Sequence, residues 1–255
     1  MTNTKKLNGT VALVTGASSG IGEATAIALA EQGASVAIAA RRKDRLDALA
    51  ARITDGGGAA LAIESDVTSQ EDAHALVEKT VADLGRLDTL VNNAGVMLLG
   101  PIVDAPLDEW ERMIDLNVKG LLYCAHAALP HLLTAAQDSP RNVADMVNIS
   151  SVAGRIARSG SGVYNATKWG VGAFSESLRQ EVTGRHVRVS LVEPGAVSTE
   201  LVSHLRPEVR EQMAGGMDFE RMESEDIADA IAYIVTRPRR MAVNEMLIRP
   251  TEQER

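Results

Sequence analysis

The feature that most constrains the fold is an alternation of short apolar runs with longer amphipathic stretches along all 255 residues. The apolar runs are rich in β-branched residues and lack polar alternation, which is typical of strands buried on both faces of a parallel sheet. These predicted strands are Val11–Thr15, Ser35–Ala40, Ala60–Glu64, Leu87–Val91, Ala144–Ile149, Val187–Val192 and Glu245–Ile248.

Between these runs, apolar residues recur at spacings of three and four, as helices with one buried face require. The predicted helices are Ile21–Glu31, Lys43–Thr54, Gln70–Leu84, Leu107–Thr134, Val163–Thr183 and Ser224–Thr236. The alternation predicts an α/β fold: a doubly wound parallel sheet of about seven strands with helices on both faces. Because no Pro- or Gly-rich linker divides the chain, we expect residues 1–255 to form a single domain. Residues 196–223 fit the alternation worst and are a candidate substrate lid.

Composition argues against several classes of function. The net charge of −8 disfavours a surface for nucleic acid or anionic membrane. A single cysteine, Cys124, allows no intramolecular disulfide, and no His, Cys, Asp or Glu cluster has the spacing of metal ligands. Residues 1–9 lack the apolar core of a signal peptide, and the longest uncharged stretch, 120–137, is too short and too polar to span a bilayer. We therefore expect a cytoplasmic protein without a metal, nucleic-acid or membrane partner.

A glycine-rich turn follows the first predicted strand, in the sequence Thr15-Gly16-Ala17-Ser18-Ser19-Gly20-Ile21-Gly22. Glycines let the backbone approach a diphosphate, and the next helix offers free N–H groups and the positive end of its dipole. The spacing G-x-x-x-G-x-G differs from the general dinucleotide fingerprint, and a tight strand–helix turn is the alternative interpretation. The position after the first strand favours a nucleotide site.

Two arginines follow the second predicted strand, at the point where dinucleotide folds contact the adenosine ribose. An acidic residue there holds the ribose hydroxyls, whereas an arginine accommodates a 2′-phosphate. Here the strand ends at Ala40, and Arg41 and Arg42 follow. A solvated helix start is the alternative, but the position favours NADP(H).

A tyrosine and a lysine four residues apart, Tyr164 and Lys168, share one face of a predicted helix. An ammonium stabilises a phenolate, as does a positively charged cofactor ring, so we expect the pKa of Tyr164 to fall toward neutrality, where a phenol can act as an acid or a base. The spacing also arises by chance in many chains. Ser151, however, lies thirteen residues upstream at the carboxyl end of a predicted strand, and the Asn92–Gly95 turn lies at the same edge of the sheet.

Together these motifs resemble the short-chain dehydrogenase/reductase family over almost the whole chain. The matching residues are Thr15–Gly22, Asp66-Val67, Asn92–Gly95, Asn117, Ser151, Tyr164, Lys168 and Pro194-Gly195 with Thr199. The resemblance implies a Rossmann fold and an NADP(H)-dependent enzyme. Within the family, residues 96–101, 110–117 and 248–251 resemble the branch that contains clavaldehyde reductase (clavulanic acid dehydrogenase) and NADP-dependent 3-hydroxy acid dehydrogenases.

The resemblance also implies residue roles. Ser151 would hydrogen-bond a substrate carbonyl that Tyr164 protonates. Lys168 would hold the nicotinamide ribose and tune Tyr164, and Asn117 would anchor a water that relays protons to Lys168. The expected catalytic residues are Asn117, Ser151, Tyr164 and Lys168. The expected cofactor-binding residues are Gly16, Ser18, Ser19, Gly20, Ile21, Gly22, Arg41, Arg42, Asp66, Val67, Asn93, Ala94, Gly95, Tyr164, Lys168, Pro194, Gly195, Val197 and Thr199.

The substrate side is less defined by the sequence. Met97, Leu98 and Arg155 follow strand ends at the same edge, so we expect them to border the substrate, with Arg155 placed to attract a carboxylate. A surface charge is the alternative for Arg155. Residues 135–143 are expected to form a surface loop away from the site.

These motifs favour the interpretation that the protein is a reversible NADPH-dependent reductase of an aldehyde, ketone or 3-oxo acid, with Tyr164 as general acid and base. A dehydratase or epimerase of the same fold and a non-catalytic sensor of NADPH are the alternatives. The complete set of four expected catalytic residues disfavours both. The uncharged stretch 120–137 predicts a helix without a solvated face and hence a partner chain, and the resemblance implies a homotetramer or a dimer.

Overall fold

The computed structural model describes residues 5–103, 105–214 and 219–254, with only the backbone described for 212–214. Seven parallel strands form one sheet in the order β3-β2-β1-β4-β5-β6-β7, which confirms the predicted doubly wound architecture. The strands are β1 (Val11–Thr15), β2 (Ser35–Ala40), β3 (Ala59–Glu64), β4 (Thr89–Asn92), β5 (Ala144–Ile149), β6 (Val187–Pro194) and β7 (Glu245–Ile248).

Helices cover both faces of the sheet. They are α1 (Gly20–Glu31), α2 (Lys43–Asp55), α3 (Gln70–Leu84), α4 (Leu107–Ile114), α5 (Leu121–Asp138), α6 (Gly162–Val182), α7 (Pro207–Ala214) and α8 (Ser224–Val235). On β1, Leu13 packs beneath α3, α5 and α6, whereas Ala12 and Val14 pack beneath α1, α2 and α8. Each strand therefore needs apolar residues on both faces, which explains the runs without polar alternation.

The strand order positions the site. β1 pairs with β2 on one side and with β4 on the other, so the chain crosses over in opposite directions from this point. The loops that leave Thr15 and Asn92 diverge at the carboxyl ends of β1 and β4. Open α/β sheets bind ligands in the crevice that such a divergence leaves.

The predicted helix Leu107–Thr134 differs from the observed one. It is divided by a π-helical turn over Asp115–Gly120, and α5 then continues to Asp138. Ala135, Ala136 and Ser139 are buried, so the expectation of a surface loop over 135–143 is wrong for its first half. The apolar face of α5 persists beyond Thr134 because the helix still packs on the sheet.

The face that α5 turns away from the sheet is polar but uncharged. His126, Pro130, Thr134 and Gln137 are exposed on the single chain, so none of the described residues covers this face. Its contact with a partner chain stays a prediction. Among the described residues, no helix combines the length and the apolar character that a bilayer crossing requires.

Candidate active site

A cleft of about 320 Å³ runs along the carboxyl ends of the strands. Its walls include every expected cofactor-binding residue except Gly22, together with Ser151. The other wall residues, which were not among the expected site residues, are Ala39, Ala40, Ser65, Val96, Leu116, Ile149, Ser150, Glu200, Leu201 and His204. The structure thus brings one continuous set of motif residues to one edge of the sheet.

The glycine-rich turn is held tightly against the end of β4. Gly16 has a φ of +65°, and a Cβ there would lie 2.7 Å from the Cα of Ala94. A Cβ on Gly22 would lie 2.5 Å from the side-chain amide nitrogen of Asn93. That amide donates to the carbonyl oxygens of Thr15 at 3.0 Å and Gly16 at 3.2 Å. Gly22 therefore shapes the turn from behind instead of lining the cleft.

The amino end of α1 faces the cleft with unused donors. Ser19 occupies the N-cap position but accepts no hydrogen bond from the amides of its helix. By contrast, the N-cap hydroxyl of Ser69 accepts a bond from the Asp72 amide at 3.2 Å. Gly20 and Ile21, in the first turn of α1, line the cleft. Free amides at a helix N-terminus fit the diphosphate of a dinucleotide.

Arginines stand at the end of β2, as the sequence predicts. The Arg42 guanidinium donates to the Ser18 hydroxyl through Nε at 3.0 Å and through Nη2 at 2.9 Å. Nη2 also donates to the Ser19 hydroxyl at 2.8 Å. Arg41 is exposed at the cleft wall. Guanidinium and hydroxyl donors gathered at one point fit the 2′-phosphate of NADP.

The far end of the cleft fits an adenine. Asp66 accepts hydrogen bonds on one carboxylate oxygen from the Thr68 amide at 3.1 Å and from the Thr68 hydroxyl at 2.8 Å, which fixes the turn after β3. The buried Ser65 hydroxyl has no hydrogen-bond partner among the described residues. A buried hydroxyl without a partner is costly unless a ligand atom satisfies it.

The expected catalytic side chains meet at the centre of the cleft. Ser151 follows β5, and its hydroxyl accepts a bond from the Ala153 amide at 3.1 Å and lies beside the Tyr164 phenol. Lys168 lies one turn along α6 from Tyr164, and its Nζ is 5.9 Å from the centre of the Tyr164 ring. The same Nζ donates to the Ile149 carbonyl at 2.9 Å.

The electrostatics of this pair differ from the expectation. Burial raises the pKa of the Tyr164 phenol to about 12, an effect that the Ser151 hydrogen bond only partly offsets. Burial also lowers the pKa of the Lys168 ammonium to about 8. The expected fall of the Tyr164 pKa toward neutrality is therefore wrong for the chain itself. Loss of hydration outweighs the stabilisation that an ammonium at this distance gives.

Asn117 lies behind the cleft wall, within the π-helical turn, where its side chain is buried. Its carboxamide makes two hydrogen bonds with the backbone of Val96: it accepts from the Val96 amide and donates to the Val96 carbonyl, both at 2.8 Å. A third bond runs to the Thr167 hydroxyl at 3.3 Å. π-helical turns recur at functional sites because the extra residue aims a side chain out of helical register. Here the turn aims Asn117 at the loop after β4.

Two distances from one position, Gly95, show that the Asn117 and Lys168 side chains approach each other. A Cβ on Gly95 would lie 3.2 Å from the Asn117 carboxamide oxygen and 3.8 Å from the Lys168 Nζ. Only a glycine leaves this space open. The convergence suits a shared polar contact between the two side chains, such as a bridging water.

The structure corrects Arg155 among the three expected substrate residues, whereas the placement of Met97 and Leu98 beside the substrate stays a prediction. Arg155 does not face the cleft: its Nε and Nη2 pair with the buried Glu193 carboxylate at 2.6 and 2.7 Å. Arg155 also contacts Glu245. Leu98 is buried, and Met97 packs beside it in an apolar cluster that includes Tyr164. None of the three expected residues lines the cleft.

Four residues that the sequence analysis did not name individually contribute to the site. Glu200, Leu201 and His204, in the turn Glu200–His204 of the expected lid, line the cleft. Near the end of the chain, the Gln253 side-chain oxygen accepts a bond from the Ala196 amide at 2.9 Å, which holds the turn after β6. Glu200 and Gln253 make contacts with distant segments, so no local pattern identifies these two residues individually.

Comparison with known proteins agrees with this geometry. A family model described as short chain dehydrogenase matches residues 10–210. An oxidoreductase of Staphylococcus saprophyticus is 39% identical over 245 residues, which cover 95% of this chain and 96% of the relative. The closed form of a serine dehydrogenase complexed with NADP+ matches with a TM-score of 0.86 at 32% identity, covering 96% of each chain. A 3-ketoacyl-(acyl-carrier-protein) reductase from Brucella melitensis complexed with NADH matches with a TM-score of 0.83 at 28% identity, covering 95% of this chain and 98% of that one.

Proposed function

The chain belongs to the short-chain dehydrogenase/reductase family of oxidoreductases, and from that premise we propose that it is an NADPH-dependent reductase that reversibly converts a carbonyl into an alcohol. The substrate class comprises aldehydes, ketones and 3-oxo acids. One observation carries the proposal: the Tyr164 phenol lies beside the Ser151 hydroxyl at the centre of the cleft, and the Lys168 Nζ is 5.9 Å from the centre of the phenol ring. Each of the two neighbouring hydroxyls can turn its one proton toward the same carbonyl oxygen.

In the proposed reaction, the raised pKa of Tyr164 keeps the phenol protonated at neutral pH. The phenol then donates its proton to the carbonyl oxygen as that oxygen gains charge, while the Ser151 hydroxyl hydrogen-bonds the same oxygen. When bound, NADPH supplies the hydride that adds to the carbonyl carbon. The Lys168 ammonium lies beside the Tyr164 phenolate that this proton transfer leaves. Asn117 holds the loop after β4 through its bond with Val96. A positioned acid of this kind contributes on the order of 10²–10⁴-fold.

The proposed cofactor contacts follow the cleft from end to end. The amides of the first turn of α1 would hold the diphosphate, and Arg41 with Arg42 would hold the 2′-phosphate. Asp66 and Val67 would meet the adenine, Asn93 the ribose, and Pro194–Thr199 the nicotinamide. The NADP+ in the related serine dehydrogenase supports this assignment, whereas the related 3-ketoacyl reductase holds NADH. The choice of NADP(H) therefore depends on the two arginines.

We propose that residues 196–223 form the lid of the substrate side. Val197, Leu201 and His204 line the cleft, and farther along the segment the Arg206 Nε lies 3.0 Å from a Glu109 carboxylate oxygen. This ion pair connects the segment to α4. Residues 215–218 of the expected lid lie outside the described residues.

Because Arg155 forms an ion pair with Glu193, it gives no reason to prefer a substrate that carries a carboxylate. The resemblance to 3-hydroxy acid dehydrogenases still makes 3-oxo acids worth testing beside aldehydes and ketones. A panel of the three classes, followed through the loss of NADPH absorbance, tests the proposal. Turnover of at least one class supports it. Binding of NADPH without turnover of any compound would favour a sensor instead.

We propose that the protein is a homotetramer or a dimer in the cytoplasm. Ile102, Val103, Leu107, Ile114 and Trp169 are large apolar side chains exposed on or near α4 and α6. Exposed apolar side chains on neighbouring elements favour contact with a second copy of the chain. Light scattering at micromolar concentration tests the assembly, and a monomeric mass would contradict it. The single free cysteine, Cys124, and the use of NADPH support the cytoplasmic location.

A further inference from the structure

An acidic side chain from the proposed lid contacts the arginine cluster after β2, which consists of Arg41, Arg42 and Arg45. One carboxylate oxygen of Glu200 lies 2.8 Å from Arg42 Nη1, and the other lies 2.6 Å from Arg45 Nη1. The Ser19 hydroxyl also lies beside this carboxylate and helps to lower its pKa. Glu200 is 158 residues from Arg42 in sequence, so the contact exists only in the folded chain.

These contacts use donors that a ribose phosphate would need. Every nitrogen of the Arg42 guanidinium is engaged: Nε and Nη2 on the serine hydroxyls of the glycine-rich turn, and Nη1 on Glu200. Arg41 makes no ion pair with any described residue, so it is the cluster's unpaired cation. A carboxylate and a phosphate are both anions that accept charge-assisted bonds from a guanidinium. They therefore compete for the same donors.

Glu200 remains an anion at every pH relevant to the enzyme. The hydrogen bonds from Arg45 and Arg42 lower the pKa of its carboxyl group to about 2. Protonation therefore does not relieve the competition. A carboxylate at this end of the cleft is also the group that accepts bonds from the ribose hydroxyls of NAD. Glu200 thus brings a carboxylate from another segment to the end of β2, where Ala40 offers none.

We propose that Glu200 is a cofactor-specificity residue, whose carboxylate competes with the 2′-phosphate of NADP(H) for Arg42 and Arg45. It thereby narrows the difference in affinity between NADPH and NADH. The proposal rests on the proposed function, since it concerns the same phosphate subsite. Exposed ion pairs each contribute a factor of roughly 1.4–5 to an equilibrium constant, so two of them amount to about 2- to 30-fold.

The test is a binding titration of the purified protein with NADPH, with NADH, and with the pair adenosine 2′,5′-bisphosphate and AMP, which isolates the subsite from the nicotinamide. Glu200→Gln keeps the size of the side chain and removes its charge. Glu208→Gln is the matched control, because Glu208 lies in the same segment but pairs with Arg206. We expect Glu200→Gln to raise the ratio of the NADH to the NADPH dissociation constant by about 2- to 30-fold, and the AMP to bisphosphate ratio likewise. Glu208→Gln should leave both ratios unchanged.

The outcomes separate this inference from the function on which it rests. An unchanged or lower ratio in Glu200→Gln, while the wild type still prefers NADPH, overturns the role of Glu200 alone. Equal tightening in Glu208→Gln also overturns it, because the effect would then come from net charge. If neither the wild type nor Glu200→Gln binds NADPH more tightly than NADH, the NADP(H) assignment itself is wrong. A preference that appears only in Glu200→Gln supports the inference.

Discussion

Replacing Lys168 with methionine should stabilise the fold while it abolishes catalysis. The pKa of the Lys168 ammonium falls from its ordinary 10.5 to about 8 because the side chain is buried. Each pKa unit corresponds to about 1.4 kcal/mol, so the buried ammonium costs the folded state about 3 kcal/mol at pH 7. Methionine fills a similar volume but leaves the Ile149 carbonyl without its donor, which costs about 1 kcal/mol. The expected net gain in the free energy of unfolding is about 1–2 kcal/mol at pH 7.

The pH dependence identifies the cause of this gain. The folded pKa lies below the unfolded one, so the full cost applies below about pH 8, and it disappears as the pH rises through 10.5. At pH 9.5 the cost has fallen to roughly 1 kcal/mol, so the gain from the substitution should shrink by about 2 kcal/mol. Urea denaturation of both proteins at pH 7 and pH 9.5, without cofactor, measures the difference directly.

Lys119→Met is the matched control for the stability measurement. Lys119 is about half-exposed and pairs with Asp115 at 2.7 Å, so its loss should not stabilise the fold. The reasoning is refuted if Lys168→Met is no more stable than the wild type at pH 7. It is also refuted if the difference between the two proteins stays constant up to pH 9.5. Cofactor affinity and turnover should both fall in Lys168→Met, because the ammonium is proposed to serve the ribose and Tyr164.

Three further predictions concern the site and its frame. Tyr164→Phe should bind NADPH normally and lose about 10²–10⁴-fold in turnover, as measured by steady-state kinetics, because only proton donation is removed; near-normal rates would contradict the proposed mechanism. Arg41→Ala should weaken NADPH about tenfold and leave NADH unchanged in binding titrations, since one charge-assisted bond contributes about 1.5–3 kcal/mol and Arg41 is exposed. Arg155→Ala should lower the free energy of unfolding by about 3 kcal/mol in urea denaturation, because it leaves the buried Glu193 carboxylate unpaired. A raised KM for the substrate with an unchanged free energy of unfolding would instead indicate that Arg155 binds the substrate.

The sheet and the centre of the site were predictable because their signals are local. An apolar run bounded by turns indicates a strand, and the spacing of Tyr164 and Lys168 follows from one turn of helix. The π-helical turn that carries Asn117 was not predictable, since one extra residue in a helix leaves the apolar spacing almost unchanged. The helix Leu107–Thr134 was therefore predicted as continuous.

The errors at the site arise from contacts between distant segments. Arg155 pairs with Glu193, 38 residues away, and with Glu245, 90 residues away, so nothing beside Arg155 in the sequence indicates its partners. The same holds for Glu200 and the arginines after β2. For Tyr164, the neighbouring lysine was visible in the sequence but the extent of burial was not, and burial decides the direction of the pKa shift.

The central claim is that this chain transfers hydride from NADPH to a carbonyl with Tyr164 as the proton donor. Incubation with NADPH deuterated at the transferring position of the nicotinamide, and with the best carbonyl compound of the panel, tests it most directly. The account predicts that mass spectrometry finds one deuterium on the new carbinol carbon in the wild type, and almost no product with Tyr164→Phe. A product without deuterium, or deuterated product at undiminished yield with Tyr164→Phe, would contradict it.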